Sequence, residues 1–169
     1  DPGAINVILD PGGAFGTGSH PTTRLCLAWL ERNLRGGERV LDYGCGSGIL
    51  GIAASKLGAG AVTCVDIDPQ ALEATRYNSL SNNVHLDTRD AREELPGGAD
   101  ITIANILANP LRMLAPLLSA QTRGAGSIVL SGILEQQAAG VAEAYAPWAV
   151  LAVAASDSGW VLLAGKRRA

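Results

Sequence analysis

Val40-Leu41-Asp42-Tyr43-Gly44-Cys45-Gly46-Ser47-Gly48 joins an apolar run to a carboxylate, and glycine then falls at every second position. A second apolar run, Ala61-Val62-Thr63-Cys64-Val65, ends at Asp66, 22 positions after Gly44. The two runs predict a strand, a glycine turn, a helix and a second strand tipped by a carboxylate. Glycine lets a ligand approach the backbone closely because no Cβ stands in the way. A carboxylate at the next strand tip is placed to accept hydrogen bonds from ribose hydroxyls. The stretch therefore predicts a site for a nucleoside-containing cofactor.

Two cofactor classes compete for this turn. Gly46-Ser47-Gly48-Ile49-Leu50-Gly51 satisfies G-x-G-x-x-G, a dinucleotide fingerprint. A dinucleotide needs a helix N-terminus free to receive its pyrophosphate. Asp42, two residues before Gly44, would repel that phosphate. It suits instead a cofactor with a cationic end, such as S-adenosylmethionine, which carries a sulfonium and an ammonium and no phosphate. An acidic residue followed by G-x-G-x-G resembles the first motif of the class I methyltransferases. A nicotinamide-dependent oxidoreductase built on Gly46 to Gly51 stays as the alternative.

The whole chain narrows the class. Its 169 residues fit one domain with a real core. Hydrophobic residues make up 47% and charged residues 17%, a globular composition. A net charge of −3 provides no basic footprint for nucleic acid. Cys26, Cys45 and Cys64 have no C-x-x-C spacing and no histidine pair beside them, so no metal site is expected. An odd, unclustered cysteine count fits a reducing cytoplasm. No apolar run is long enough to span a bilayer, and no signal peptide is recognisable. The chain starts at Asp1-Pro2-Gly3 without a methionine, which suggests a fragment.

Strand and helix signals alternate. Strands are expected over Ile5–Leu9, Arg39–Tyr43, Ala61–Val65, Val84–Leu86, Asp100–Ala104 and Ser127–Ser131, with Trp148–Ala154 and Trp160–Ala164 as a closing hairpin-like pair. Helices are expected over His20–Leu34, with Ser19 supporting its start, then Ile49–Leu57, from Pro69 to Asn82-Asn83, around Leu111–Ala120, and over Glu135–Tyr145. The alternation predicts an α/β fold with a mostly parallel sheet covered on both faces. Ligands on such sheets bind beyond the strand C-termini. Asp42, Asp66, Asp90 and Asn105 all fall at or just past predicted strand ends.

Each of these residues has two readings. Asp66 is a ribose clamp, or a cap for the helix at Pro69, where Asp68 fits better by position. Asp90 faces an adenine amine, or forms a loop ion pair within Thr88-Arg89-Asp90-Ala91-Arg92. Asn105 accepts a hydrogen bond from a target amine and aims its lone pair, or caps the next helix. Asn105-Ile106-Leu107-Ala108 lacks the Pro-Pro-aromatic platform that a flipped base would need, which argues against a nucleic-acid amine as substrate. Phe15, the single phenylalanine, lies in a glycine-rich loop where Gly16 and Gly18 permit a lid over a ligand. Thr22 and Thr23 follow in the first helical turn, and His20 reads as a structural hydrogen-bonder or a general base.

The motifs together carry a closer match. Leu9-Asp10-Pro11-Gly12, Ala14 to Thr23, Asp42 to Leu50, Asp66-Ile67-Asp68-Pro69-Gln70-Ala71, Ala104-Asn105-Ile106-Leu107 and Leu130-Ser131-Gly132-Ile133-Leu134 resemble the methyltransferase family of large-subunit ribosomal protein eleven, nearly end to end. The resemblance implies a Rossmann-like, doubly wound, mostly parallel seven-stranded sheet with an antiparallel C-terminal strand pair. It implies S-adenosylmethionine as cofactor and the ribosomal protein as substrate, trimethylated on lysine side chains and its N-terminal amine, with no direct nucleic-acid or membrane partner. Carried over by resemblance, Thr23, Gly44, Asp66 and Asn105 are the first cofactor contacts, and Phe15, Gly16, Thr17, Asp42 and Gly46 follow. Asn105 is also the candidate catalytic residue. Family members carry an N-terminal substrate-recognition domain. Residues 1–169 are therefore expected to be the catalytic domain alone, with 1–23 as entry strand and lid loop.

Overall fold

The structure, a computed structural model, describes residues 6–9 and 20–169. The expected lid loop, with Phe15, Gly16, Thr17 and Ser19, lies outside them. In chain order the elements are α1 (Pro21–Asn33), β1 (Arg39–Tyr43), α2 (Ile49–Lys56), β2 (Ala61–Asp66), α3 (Pro69–Ser81), β3 (Asp87–Asp90), β4 (Ala99–Asn105), α4 (Ala108–Met113), α5 (Ala115–Gln121), β5 (Thr122–Leu134), a 3-10 turn (Glu135–Gln137), α6 (Ala138–Tyr145), β6 (Ala152–Asp157) and β7 (Trp160–Lys166).

One seven-stranded sheet runs β3-β2-β1-β4-β5-β7-β6. The pairs β3–β2, β2–β1, β1–β4 and β4–β5 are parallel, and β7 is antiparallel to both β5 and β6. Strand order reverses between β1 and β4, which is where open α/β sheets place ligands.

The central strands are mainly apolar because both faces are covered. Successive side chains point to opposite faces. Ile128 and Leu130 pack under α4, α5 and α6 with Leu111, Leu118, Val141 and Tyr145. Val129 between them packs on the other face with Leu25, Leu30, Ile52, Leu72 and Ile103, under α1, α2 and α3. Tyr145 is fully buried and donates its hydroxyl to the Leu111 carbonyl at 2.7 Å, tying α6 to α4.

Several expected elements move. Residues 6–9 form no strand. The Asn82 side chain instead takes the Ile8 N–H at 2.8 Å and donates to the Ile8 carbonyl at 2.6 Å. The third strand lies at Asp87–Asp90, after the apolar Val84–Leu86, because it is a polar edge strand whose register runs from Thr63↔Asp87 to Asp66↔Asp90. The helix expected around Leu111–Ala120 is two helices meeting at Leu114. Pro116 lies in the first turn of α5, where its missing N–H costs nothing, and it could not continue α4. Helix α6 begins only at Ala138. The strand expected over Trp148–Ala154 lies at Ala152–Asp157, and Ala149 makes an isolated bridge to Arg167.

Candidate functional site at the carboxyl ends of the central strands

The turn from Gly44 to Gly48 leaves β1 at the strand-order reversal. Gly44, Gly46 and Gly48 hold positive φ of 77°, 54° and 87°, a region that other residues reach only with strain. Close packing adds a second demand. A Cβ on Gly44 would lie 2.5 Å from the Ile106 side chain, and one on Gly48 2.9 Å from that of Thr75. Gly132 bulges β5 at φ 91°, where a Cβ would stand 2.0 Å from the Ile106 carbonyl oxygen. The segment after β4 thus crosses the rim wedged between two glycines.

The turn's own amides are largely committed within the chain. Gly44 and Cys45 N–H both donate to the Val65 carbonyl, at 2.7 and 3.0 Å. Gly46 N–H donates to the Asp66 carboxylate at 3.0 Å. Gly48 N–H donates to the Cys45 carbonyl at 2.8 Å. Gly51 N–H, in the first turn of α2, donates to the Asp42 carboxylate at 3.0 Å. The positive end of α2 therefore already faces a carboxylate.

Asp42 lies inside β1, not at its end, and is 1% exposed. Burial, with the Asp66 charge nearby, pushes its carboxyl up to about 7, against the Gly51 bond that favours ionisation. Asp66 ends β2 and is half-buried, with one oxygen taking Gly46 N–H and the other Asp68 N–H at 3.0 Å. Asp68 is the cap of α3, accepting from Gln70 N–H at 2.9 Å. The two acids divide the roles that the sequence left open: Asp68 starts the helix, and Asp66 bridges the glycine turn to it. A carboxylate offers about four lone-pair sites, so each Asp66 oxygen keeps acceptor capacity.

Asp90 ends β3 next to Asp66 in register, but its carboxylate is held by Arg92, at 2.8 Å from Nε and 2.6 Å from Nη2. The Arg92 hydrogen bonds lower its carboxyl to about 2. The loop ion pair is present as drawn from its neighbours. Asn105 ends β4 opposite Ser131 and is half-buried, with no side-chain hydrogen bond among the described residues. It does not cap the following helix, because α4 starts from Leu107. Leu107 itself is 67% exposed beside it.

Thr23 is buried in the first turn of α1. His20 is the N-cap of that helix: its Nδ1 accepts from Thr22 N–H at 3.2 Å, and its ring meets the Trp160 ring edge-on at 5.2 Å. The structure brings Asp66, the Gly44–Gly48 turn and Asn105 to one rim. Asp42 sits beneath it. A cavity of about 400 Å³ lies at the opposite edge, lined by Arg39, Ala61, Asp87 and Ala99, the first residues of their strands. It is not part of this site.

Sequence reasoning passed over α3. Thr75 Oγ1 donates to the Gly46 carbonyl at 3.0 Å, and Asn78 Nδ2 to the Ser47 carbonyl at 2.9 Å. Both residues are fully buried. The signal was present: Thr75, Asn78 and Asn82 fall at i, i+3 and i+7, on the face that Ala71 and Leu72 mark as buried.

The chain matches known proteins over nearly its whole length. The family model described as ribosomal protein L11 methyltransferase (PrmA) matches residues 1–168. A relative named ribosomal protein L11 methyltransferase from Thiobacillus denitrificans is 58% identical over 168 residues, covering 99% of this chain and 57% of the relative. One of the same name from Cupriavidus pinatubonensis is 56% identical over 167 residues, covering 99% and 56%. The chain thus spans somewhat over half the length of these relatives. The crystal structure of a ribosomal protein L11 methylase from Lactobacillus delbrueckii subsp. bulgaricus superposes with a TM-score of 0.84 at 34% identity, covering 95% of this chain and 84% of that one. A methyltransferase from Pyrococcus furiosus shares the fold, with a TM-score of 0.77 at 18% identity. On the length and identity of these matches, the chain belongs to the ribosomal protein L11 methyltransferase family.

Proposed function

We propose that this chain binds S-adenosylmethionine at the carboxyl rim and carries methyl transfer to lysine and N-terminal amines of ribosomal protein L11. The substrate comes from the names of its relatives. The cofactor reading rests on the glycine turn. The amides of Gly44, Cys45, Gly46, Gly48 and Gly51 are spent on Val65, Asp66, Cys45 and Asp42. A pyrophosphate needs such amides open and no fixed anion beside them. A cationic, phosphate-free ligand needs neither. The donor set therefore fits S-adenosylmethionine and not a dinucleotide.

When bound, this cofactor supplies an electrophilic methyl group on a sulfonium. The residues would hold and orient. The Asp66 oxygens keep lone pairs for ribose hydroxyls. Thr23, Gly44 and Gly46 are the further contacts we assign, with Phe15, Gly16 and Thr17 joining them from the preceding segment on the family resemblance. Asp42 we assign to the site through Gly51, as the group that anchors the start of α2. The uncommitted amide of Asn105 is free to accept an N–H from the incoming amine and fix its lone pair. A lysine amine, with a pKa near ~10.4, must lose a proton first. A half-buried rim favours the neutral amine by desolvation. Positioning then supplies much of the rate without a strong base. We place this chemistry in the cytoplasm; no described helix is long and apolar enough to cross a membrane.

Calorimetric titration with S-adenosylmethionine, S-adenosylhomocysteine and NAD in parallel tests the reading. Both sulfur ligands should bind and NAD should not. Tighter binding of NAD would sink it.

A further inference from the structure

The glycine turn is gripped from two sides, and only one of them is acidic. Asp66 and Asp42 accept from amides, at Gly46 and Gly51. On the other side the carbonyls of Gly46 and Ser47 are met by donors from a different element, α3. Thr75 Oγ1 reaches Gly46 at 3.0 Å and Asn78 Nδ2 reaches Ser47 at 2.9 Å. These are long-range bonds, 29 and 31 positions along the chain. Thr75 Oγ1 also lies 3.4 Å from the Cys45 thiol, and the Thr75 methyl stands 2.9 Å from where a Cβ on Gly48 would fall. The contact leaves no slack: Thr75 and Asn78 are 0% exposed.

A glycine turn left to itself is loose, because glycine populates both signs of φ. Three positive-φ glycines in five residues give many alternative turns. Fixing each peptide plane requires that its carbonyl be held as well as its amide. The plane between Gly46 and Ser47 has its carbonyl on Thr75, and the next has its carbonyl on Asn78. Replacing either donor leaves a buried carbonyl without that partner and lets its peptide plane rotate.

We infer that Thr75 and Asn78 of α3 are positioning residues for the cofactor turn, fixing its carbonyl side while Asp66 and Asp42 fix its amide side. Neither residue needs to touch the cofactor. They set where the Gly44–Gly48 backbone stands, and so the shape that the ligand meets. The inference deepens the cofactor reading and uses S-adenosylhomocysteine binding as its readout.

The test compares Thr75→Val, which keeps shape and loses the hydroxyl, with Thr75→Ser, which keeps the hydroxyl, alongside Asn78→Ala. Thr122→Val is the control for generic loss of a buried hydroxyl. Its Oγ1 bonds the Leu118 carbonyl at 2.8 Å and Thr102 at 2.7 Å, at the far end of the sheet. Affinity for S-adenosylhomocysteine is measured by calorimetry at a temperature where every variant is folded by circular dichroism. Thr75→Val and Asn78→Ala should bind at least tenfold more weakly. Thr75→Ser should stay within threefold of wild type, and Thr122→Val should melt lower yet bind as wild type does. Equal affinity in folded Thr75→Val and wild type would overturn the inference. So would a loss in Thr122→Val as large as in Thr75→Val, since the effect would then be global. If Thr75→Val does not fold, Thr75→Ala against Thr75→Ser makes the same comparison, since the two differ only in the hydroxyl, and equal affinity in that pair would overturn the inference. Failure of wild type itself to bind would strike the cofactor reading instead.

Discussion

The two sides of the rim are built on opposite terms. After β1 and β2 the polar groups are already bound: Asp42 holds Gly51, Asp66 holds Gly46 and Asp68, and Thr75 and Asn78 hold the turn's carbonyls. After β4 the Asn105 amide has no partner among the described residues, and Leu107 stands 67% exposed. A rim half fixed in advance suits a ligand that is always the same. A half with open polar and apolar groups suits one that comes and goes. The first side should show its work as stability, the second as rate.

Asp42 gives the largest effect, and its sign is set by burial. Its carboxyl rises from an ordinary 3.8 to about 7 in the folded chain. The folded state then holds a proton that the unfolded state has released. Stability from this group is therefore greatest near pH 4 and is lost as pH rises toward 7. At roughly 1.4 kcal/mol per pH unit the loss is on the order of 4 kcal/mol. The paired carboxylates of Asp90, Asp100 and Asp157 are lowered, so their contribution is lost only in more acidic solution. Melting temperatures of wild type should fall from about pH 4.5 to about 7. Asp42→Asn, which keeps an acceptor for Gly51, should flatten that fall. A wild-type profile already flat there would remove the raised carboxyl from the account.

Asp66→Ala comes next. If Asp66 were a ribose clamp alone, its loss would weaken cofactor binding and leave the fold almost untouched. The two amide bonds change the second half of that expectation. Hydrogen bonds to a charged group are each worth roughly 1.5–3 kcal/mol, so the variant should denature at lower urea as well as bind S-adenosylhomocysteine at least tenfold more weakly. Unchanged denaturation with weakened binding would mean that neither Gly46 nor Asp68 depends on this carboxylate.

The core of the fold was legible because its strands are buried on both faces and so read as mainly apolar runs. Val40–Tyr43, interrupted only at Asp42, and Ile101–Ala104, interrupted only at Thr102, are of this kind. Asp87–Asp90 was not, since a half-buried edge strand has no apolar period to detect. The break at Leu114 hid behind residues that suit a helix on either side of it. In the site, Asp66 was placed at a strand tip by spacing alone. The direction of Asp42 was not, because alternate residues of a strand face opposite ways and only the register with Cys64 and Ile103 fixes which. The grip of α3 on the turn joins residues about thirty positions apart: the helical spacing marks Thr75 and Asn78 as facing inward, but no local pattern records which carbonyls they hold.

The smallest expected change in stability carries the sharpest test of the open side. Asn105 is half-buried and makes no side-chain hydrogen bond among the described residues, so its truncation leaves no partner stranded. Asn105→Ala should lie within about 0.5 kcal/mol of wild type in urea denaturation. Methyl transfer to purified ribosomal protein L11 should nevertheless fall about a hundredfold, the scale on which misplaced reactants lose rate. Affinity for S-adenosylmethionine, measured separately, divides the two roles assigned to this residue. A fall in turnover at saturating cofactor marks the amide as orienting the amine. A fall confined to cofactor affinity marks it as a wall of the cofactor site. Strong destabilisation would show that the amide is structural, and the contrast between a fixed and an open side of the rim would then be wrong.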